Sequence, residues 1–225
     1  MADERFPFAD RGDAGRKLAA ELLKRGFDAP LVFALPRGGV PVAAAVAEAL
    51  GAPLDLILVR KIGAPRNPEL ALAAIVEGDP PERVLNEEVM RYSGADEAYL
   101  KRETERQIAE MQRRRERYLG NRERTDPRGK TAIVVDDGLA TGATMKAALK
   151  ALRRGGAALV VVAVPVAPPA EVSALEEIAD EVICLVVDPR FHGVGGAYAD
   201  FHQLTDEETV EHLKRAWKAE AESQD

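Results

Sequence analysis

The stretch TAIVVDDGLATGAT occupies residues 131–144 and joins an apolar run to two acids and a small polar turn. A short apolar run bounded by turn residues, here 132–135, is typical of a buried strand in a parallel sheet. Asp136 and Asp137 follow at the carboxyl end of that strand, where open α/β sheets bind their ligands. The turn at 141–144 then leads into a helical pattern that ends at Arg154, before two glycines.

This strand, loop and helix form a unit that can surround an anion with loop amides and a helix N-terminus. Thr141 and Thr144 add hydroxyl donors to the turn. The carboxylates of Asp136 and Asp137 can accept hydrogen bonds from a vicinal diol. The local pattern therefore suits a sugar phosphate, with its hydroxyls on the acids and its phosphate in the turn.

Composition excludes several classes of function. The 225 residues fit one domain, and the net charge of −7 with a pI near 5.2 argues against a nucleic-acid-binding face as the main activity. The lone Cys184 offers no intramolecular disulfide, which favours a reducing compartment. No apolar run reaches the roughly 18 residues of a membrane span, and no signal peptide opens the chain. We therefore expect a cytoplasmic protein without a membrane partner.

A second strand, glycine loop and helix precede the first. A strand at 30–35 breaks at Pro36-Arg37-Gly38-Gly39 and passes into an alanine-rich helix over 42–50. The two glycines allow the backbone to approach a ligand closely, and Arg37 provides a fixed positive charge.

The middle of the chain is harder to interpret. An apolar run at 54–59 ends in Arg60-Lys61, and glycines and prolines then interrupt any regular pattern over 62–81. Residues 96–118 form a highly charged helical pattern with interleaved acids and bases, which indicates a solvated, ion-paired face. Its arginine cluster could instead contact RNA, and its thin apolar stripe could pack on a partner subunit.

The remaining elements complete an α/β pattern. We expect an N-terminal helix capped by Asp13 and running to about Arg25, strands at 158–164 and 181–187, and helices at 168–179 and 206–221. The order predicts an open, mostly parallel twisted sheet with flanking helices. Four polar segments fall at strand ends, and their convergence on one edge would form a single site: 37–39, Lys61, 136–144 and 188–191.

The stretch at 131–144 resembles the phosphoribosyl diphosphate (PRPP) signature of type I phosphoribosyltransferases: four apolar residues, two acids, a spacer and T-G-x-T. The resemblance implies that Asp136 and Asp137 hold the ribose 2′- and 3′-hydroxyls, with any metal bound indirectly through PRPP. It implies a pyrophosphate loop at Pro36, Arg37, Gly38 and Gly39, with Lys61 as a cation beside the leaving group. The 5′-phosphate would contact Ala140, Thr141, Gly142, Ala143 and Thr144.

The same resemblance implies an arrangement of parts within one domain that spans residues 1–225. A core at about 30–190 would carry a small hood formed by 1–28 and 188–225. A mobile loop at about 62–81 would close over the reacting centre and exclude water. The charged segment at about 96–120 would be a helical insertion.

The tail and the mobile loop bear on the acceptor. Asp188, Phe191 and the residues after them resemble the base-binding pattern of purine phosphoribosyltransferases, which implies that Phe191 stacks on a base; a core aromatic is the alternative. Hypoxanthine–guanine enzymes carry an Asp at the position of Ala140, so the signature is closer to the adenine type. There the helper carboxylate comes from the mobile loop, which makes Glu77, or Glu69, the candidate catalytic base.

Together these patterns predict a Mg²⁺-dependent transferase that moves 5-phosphoribosyl from PRPP to a nitrogenous base, with a purine-like base favoured. Arg37 and Lys61 would hold the departing pyrophosphate. A PRPP-binding regulator without transferase activity is the alternative, and an unrelated sugar-phosphate binder or hydrolase is a third. The chain also resembles a little-characterised group of predicted phosphoribosyltransferases that share its PRGG and GAPxNPE stretches. A homodimer is usual among the proteins that it resembles.

Overall fold

The computed structural model describes residues 6–78 and 80–223. Its strands form a parallel sheet of order β2-β1-β6-β7-β8 and an antiparallel sheet of order β3-β4-β5. The strands are β1 (Pro30–Ala34), β2 (Leu54–Leu56), β3 (Val59–Ala64), β4 (Asn67–Val76), β5 (Glu82–Leu85), β6 (Thr131–Val135), β7 (Leu159–Ala167) and β8 (Glu181–Val187). The helices are α1 (Arg11–Leu23), α2 (Gly39–Leu50), α3 (Glu87–Ser93), α4 (Glu97–Leu119), α5 (Ala143–Arg154), α6 (Pro169–Glu176) and α7 (Asp206–Ser223).

Strand β6 lies at the centre of the parallel sheet, and all five of its residues are buried. A strand covered on both faces is apolar throughout, which explains the unbroken run in the sequence. Helices α1, α2 and α7 contribute to the apolar cluster on one face of the sheet, and α5 and α6 contribute to the cluster on the other. The predicted open, parallel α/β fold is therefore confirmed.

The segment at 62–81 differs from the expectation of irregular structure, because β3 and β4 form a regular antiparallel hairpin across most of it. Pro65 lies in the hairpin turn, and the register shifts beside Gly63. A side chain at Gly63 would lie 2.3 Å from the carbonyl oxygen of Pro68 on the facing strand. These breaker residues mark a turn and a bulge and do not end the strands. The predicted strand at 54–59 is likewise split between β2 and β3.

The charged helix is confirmed as α4, and it packs within the chain. Its buried residues include Leu100, Met111 and Tyr118, and the helix contacts β3 and α7. Helix α7 is fixed against the parallel sheet at Trp217, whose indole Nε1 donates to the carbonyl oxygen of Leu54 at 3.0 Å. The apolar stripe of α4 is thus covered by the chain's own elements.

Helix α1 begins earlier than predicted. Its N-cap is Asp10, whose carboxylate accepts from the backbone N–H of Asp13 at 2.7 Å, so the prediction that Asp13 is the cap was wrong. Asp13 instead accepts from the N–H of Ala9 within the first turn. An acid three residues after an acidic cap reproduces the capping-box spacing, so the sequence alone does not show which of Asp10 and Asp13 is the cap.

Of the predicted hood, residues 1–5 and 224–225 lie outside the described residues.

The N-terminal and C-terminal segments meet beside the sheet. Phe8 forms an isolated parallel bridge with Tyr198, and their ring centroids are 5.4 Å apart. Both rings are buried in a small apolar cluster with Val166. Across the described ranges, no helix combines the length and the apolar character needed to cross a bilayer.

Candidate active site

The two glycine-containing loops meet at the carboxyl edge of the parallel sheet. A Cβ on Gly38 would lie 2.1 Å from Oδ2 of Asp137, and one on Gly39 would lie 2.7 Å from the carbonyl oxygen of Val135. The N–H of Leu35 also donates to that carbonyl oxygen, at 3.0 Å. Only glycine allows this approach, because any side chain would collide with the acids or their backbone. The structure therefore places the 36–39 loop directly against the diacid.

The turn after the diacid depends on two further glycines. Gly138 has a φ of 156°, and a Cβ there would lie 2.6 Å from Cγ1 of Val194. Gly142 has a φ of 59° and is the N-cap of α5, so the helix points its first N–H groups toward the turn. Thr141 is exposed and Thr144 is half-buried at this helix start. The arrangement offers backbone and hydroxyl donors to an anion, as the sequence predicts.

The two acids differ in their electrostatic surroundings. Burial raises the pKa of Asp136 well above its ordinary value, and the adjacent Asp137 carboxylate raises it further. One oxygen of Asp136 accepts from the backbone N–H of Asp137 at 2.8 Å. Asp137 itself is paired with a cation, because Oδ2 accepts from Nε of Arg11 at 2.8 Å. Burial therefore favours the neutral form of Asp136, whereas the Asp137 carboxylate is paired with Arg11.

Arg11 is a site residue that the sequence does not reveal. It is the first residue of α1, and its side chain is only 9% exposed. Its Nη1 donates to the carbonyl oxygen of His202 at 2.9 Å, and its guanidinium carbon lies 3.9 Å from the ring centroid of Phe201. An arginine at a helix start 126 positions from its acid gives no local pattern to detect. Only the tertiary fold brings the two together.

A cavity of about 310 Å³ opens beside the diacid. Its polar wall includes Arg11, Arg37 and Asp137. Arg37 of the predicted pyrophosphate loop therefore lines the same cavity as Asp137, which is predicted to bind the ribose. Gly38, Phe201, His202, Gln203 and Leu204 complete the lining. Guanidinium groups such as those of Arg11 and Arg37 are suited to hydrogen bonds with phosphate oxygens.

Arg37 is held from the side of the C-terminal helix. Its Nη1 lies 3.7 Å from Oδ1 of Asp206, the first residue of α7. The same Asp206 accepts from the hydroxyl of Tyr118 at 2.5 Å and pairs with Arg117 at 2.7 Å. The end of α4 is therefore connected to the 36–39 loop through one shared carboxylate.

The backbone of the 36–39 loop also contains a cis peptide bond, between Pro36 and Arg37.

Lys61 lies on β3 and faces a different space. It lines a cavity of about 170 Å³ between the antiparallel sheet and α5, together with Ala143, Thr144 and Lys146. This position brings Lys61 to the predicted phosphate turn, while Arg37 lies in the wall of the other cavity. Its role beside the pyrophosphate stays a prediction.

Glu77 is engaged in ion pairs and does not line the cavity beside Asp137. Its side chain is 7% exposed and pairs with Arg115 at 3.1 Å and Arg124 at 3.0 Å. The cavity of about 1080 Å³ that it lines also includes Gly155, which follows α5, and Pro127, which precedes β6. Pro127 and Gly155 lie near the amino end of β6, but Leu56 and Ile57 at the carboxyl end of β2 line the same cavity. The role of Glu77 as the catalytic base stays a prediction. The side chain of Glu69 lies outside the described part of the structure.

The predicted base-binding residues are also placed apart from the cavity. Phe191 is partly buried and packs against the apolar cluster that contains Phe8 and Tyr198. Asp188 accepts from the N–H of Arg190 at 2.8 Å, which closes a local turn after β8. The aromatic residue that lines the cavity is Phe201. Its ring stacks on Tyr198 with centroids 5.0 Å apart and carries Arg11 close to its centre.

Comparison with known proteins identifies the family. The chain matches the phosphoribosyl transferase domain over residues 9–202, and it belongs to that family. The matched range contains the 36–39 loop, the diacid and the turn at 141–144. Family membership confirms the resemblance that the signature carries.

Individual relatives agree with this assignment. Two curated proteins from strains of Mycobacterium tuberculosis, both named provisionally as phosphoribosyl transferases, are 47% identical over 216 residues. The alignment covers 96% of this chain but 48% of each relative, so the chain spans about half the length of the curated relatives it matches. The crystal structure of TT1426 from Thermus thermophilus has a TM-score of 0.79 and 48% identity, and the match covers 92% of this chain and 98% of that chain.

A more distant structure supports the fold alone. The AQ2163 protein from Aquifex aeolicus superposes with a TM-score of 0.51 at 14% identity, over 85% of this chain and 83% of that chain. The parallel sheet with its flanking helices is thus shared well beyond the range in which sequence identity is informative.

Proposed function

We propose that this chain is a phosphoribosyltransferase that moves 5-phosphoribosyl from PRPP to a nitrogenous base and releases pyrophosphate. The observation that carries the proposal is the contact between two loops: Gly38 approaches the Asp137 carboxylate so closely that a Cβ there would lie 2.1 Å from it. A substrate bearing both a diol and a pyrophosphate would contact both loops at once. Family membership supports the same reaction class.

In this proposal the chain binds and orients the substrate and contributes little covalent chemistry. Asp136 and Asp137 accept the ribose hydroxyls, and the turn that includes Thr141 and Thr144 anchors the 5′-phosphate through donors at the start of α5. Arg37 holds the pyrophosphate, and Lys61 is proposed to reach it from β3. Binding at the remote 5′-phosphate would be used to position the bond that breaks.

Mg²⁺ fits the diacid as a partner of the substrate. Across residues 6–78 and 80–223, no group of three or more histidine, cysteine, aspartate or glutamate residues forms a metal-binding cluster. Mg²⁺ is typically held by one or two carboxylates together with substrate phosphates, which Asp136 and Asp137 could provide. When bound, the ion would neutralise charge on the departing pyrophosphate.

A purine-like base remains the proposed class of acceptor, based on the sequence patterns near Ala140 and Phe191. Phe201 lines the cavity and Phe191 does not, so the leucine substitution at Phe191 is a control for the one at Phe201. If Phe201 bounds the acceptor site, Phe201→Leu raises the KM for the base by about tenfold and raises the KM for PRPP less, while Phe191→Leu changes both little. A larger rise in the KM for PRPP would instead reflect the contact of Phe201 with Arg11.

The test of the proposed function is pyrophosphate release from PRPP and Mg²⁺, with purine and pyrimidine bases offered one at a time. Release that depends on one base would establish the transferase and identify its acceptor. Tight PRPP binding without release on any base would favour the regulator instead. Absence of PRPP binding would refute both.

The proposal also includes a homodimer in the cytoplasm. Light scattering on the purified chain across a range of concentrations tests the oligomeric state. A mass near 24 kDa at every concentration would contradict the dimer, since the chain itself is 24.3 kDa.

A further inference from the structure

The Asp137 side chain is held by a residue from a distant part of the chain. Arg11 donates from Nε to Oδ2 of Asp137 at 2.8 Å, with side-chain exposures of 9% and 14%. The same guanidinium is fixed at two further points, by the carbonyl oxygen of His202 and by the ring of Phe201. Three anchors on a nearly buried guanidinium indicate a built-in support and not a mobile surface charge.

The main chain of Asp137 is fixed from the same side. The hydroxyl of Tyr198 donates to its carbonyl oxygen at 2.6 Å. The Tyr198 ring in turn stacks on Phe201, the ring that lies against Arg11. Asp137 thus has separate supports for its backbone and its carboxylate, and both come from the segments that flank the core.

The geometry leaves acceptor capacity for a substrate. A carboxylate has about four lone-pair sites on its two oxygens, and the hydrogen bond from Arg11 uses one of them, on Oδ2. A ribose hydroxyl can therefore share Asp137 with Arg11 without displacing it. The fixed guanidinium selects one orientation of the carboxylate, and that orientation faces the cavity that Arg37 also lines.

We propose that Arg11 is a positioning residue for PRPP, which holds the Asp137 carboxylate in the orientation that accepts the ribose hydroxyls. This inference rests on the proposed function of the same site. Because the carboxylate is oriented before the substrate arrives, PRPP does not have to order it on binding. The effect acts mainly on PRPP affinity, since the bond that breaks lies on the pyrophosphate side of the ribose.

The experiment compares four proteins by calorimetric titration with PRPP and Mg²⁺ and by steady-state kinetics: wild type, Arg11→Gln, Arg11→Lys and Arg16→Gln. We expect Arg11→Gln to raise the Kd and the KM for PRPP about tenfold, with kcat changed less than about threefold. Arg11→Lys should recover part of this loss, because an ammonium offers a single donor in place of the fork. Arg16 is the matched control, since it lies on the same helix with its side chain 68% exposed.

A second variant separates carboxylate positioning from simple attachment of the flanking segments. Tyr198→Phe removes the hydrogen bond to the Asp137 backbone but keeps the ring stack. We expect it to change the PRPP Kd by less than about threefold, because the carboxylate keeps its guanidinium. An equal loss of PRPP affinity in Tyr198→Phe and Arg11→Gln would overturn the inference. Both substitutions would then act by loosening the packing of the segments 1–28 and 188–225 on the core. Thermal unfolding of each variant confirms that folded proteins are compared.

Two other results are decisive. Unchanged or tighter PRPP binding in Arg11→Gln would overturn the positioning role, and tighter binding would show that Arg11 competes with ribose. Absence of PRPP binding to the wild type would refute the proposed function itself and the inference with it. Binding by the wild type that is indifferent to Arg11 would refute the inference alone.

Discussion

Two pairs of partly or fully buried acids in this molecule differ in how many arginines contact them. Asp55 and Glu77 share Arg115, which lies 3.3 Å from Asp55 and 3.1 Å from Glu77, and Arg124 adds a second contact to Glu77. Asp136 and Asp137 have a direct ion pair only through Arg11 to Asp137 among the described contacts. Asp55 and Glu77 have two arginines for two acids, and we call them the matched pair. Asp136 and Asp137 have one arginine for two acids, and we call them the unmatched pair.

The comparison teaches how to tell a structural cluster from a site. At Glu77, burial raises the pKa above its ordinary value, and the charges of Arg115 and Arg124 offset only part of that rise. At Asp136, burial and the neighbouring carboxylate both raise the pKa well above its ordinary value, and the backbone N–H of Asp137 and the charge of Arg11 offset only part of that rise. An acid pair left short of cations retains capacity for hydroxyl groups or a metal ion. Each acid of the matched pair already has an arginine contact within the protein.

The largest expected effect comes from breaking the matched pair. Arg115→Met would leave Asp55 and Glu77 with their shared cation removed, and their side chains are each 7% exposed. Loss of one partner from a buried charge network costs about 3–5 kcal/mol of unfolding free energy. Urea denaturation followed by circular dichroism measures the change.

The control for that variant is Arg113→Met on the same helix. Arg113 pairs with Glu110, but its side chain is 72% exposed, so the expected change is less than about 1 kcal/mol. Equal losses in the two variants would mean that the matched pair is no more than surface charge.

A smaller effect, of opposite sign, is expected at the unmatched pair. Because the pKa of Asp136 is raised in the folded protein, the charged form opposes folding as the pH rises through that pKa. Asp136→Asn should therefore raise the unfolding free energy at pH 7, by on the order of 1 kcal/mol. The gain should shrink toward acid and vanish below the unfolded aspartate pKa of about 3.9.

Urea denaturation of wild type and Asp136→Asn from pH 3 to pH 8 tests that sign. A variant that is less stable than wild type at pH 7 and equal to it at pH 3 would show that the ionised Asp136 stabilises the fold. The unmatched pair would then resemble the matched one.

A comparable but purely local effect is expected at an acid that belongs to neither pair. The carboxylate of Asp96 caps α4 by accepting from the N–H of Tyr99 at 2.7 Å. Asp96→Ala should cost about 1 kcal/mol of unfolding free energy, the usual worth of an N-cap. Asp96→Asn should keep most of that stability, and a loss equal to that of the alanine variant would indicate that charge matters more than the hydrogen bond.

The parallel sheet can be predicted from the sequence because its strands are defined by residues that are neighbours in the chain. Strands β6 and β8 are short apolar runs closed by turn residues, so neighbouring residues in the sequence define where they end. The 36–39 loop and the diacid are equally local, because each follows its own strand. The expectation that they share one edge follows from parallel topology and requires no knowledge of side-chain contacts.

The β3–β4 hairpin and the supports of the site were missed because they depend on contacts between distant positions. Gly63 and Pro65 are ambiguous alone, and only their cross-strand partners show that they mark a bulge and a hairpin turn. The assignment of Arg11 depends on a contact across 126 positions. The ion pair between Glu77 and Arg115 of α4 is likewise a contact between distant positions, and the role of Glu77 as a helper carboxylate stays a prediction.

The measurement that tests the central claim most directly is calorimetric titration of PRPP with Mg²⁺ into three proteins: wild type, Asp136→Asn/Asp137→Asn and Asp55→Asn. The account predicts that the double variant loses at least about 100-fold in affinity, because charged hydrogen-bond acceptors are worth about 1.5–3 kcal/mol each. Asp55→Asn should bind within about threefold of wild type once its folding is confirmed. Undiminished PRPP binding by the double variant would contradict the assignment of the unmatched acids to the substrate.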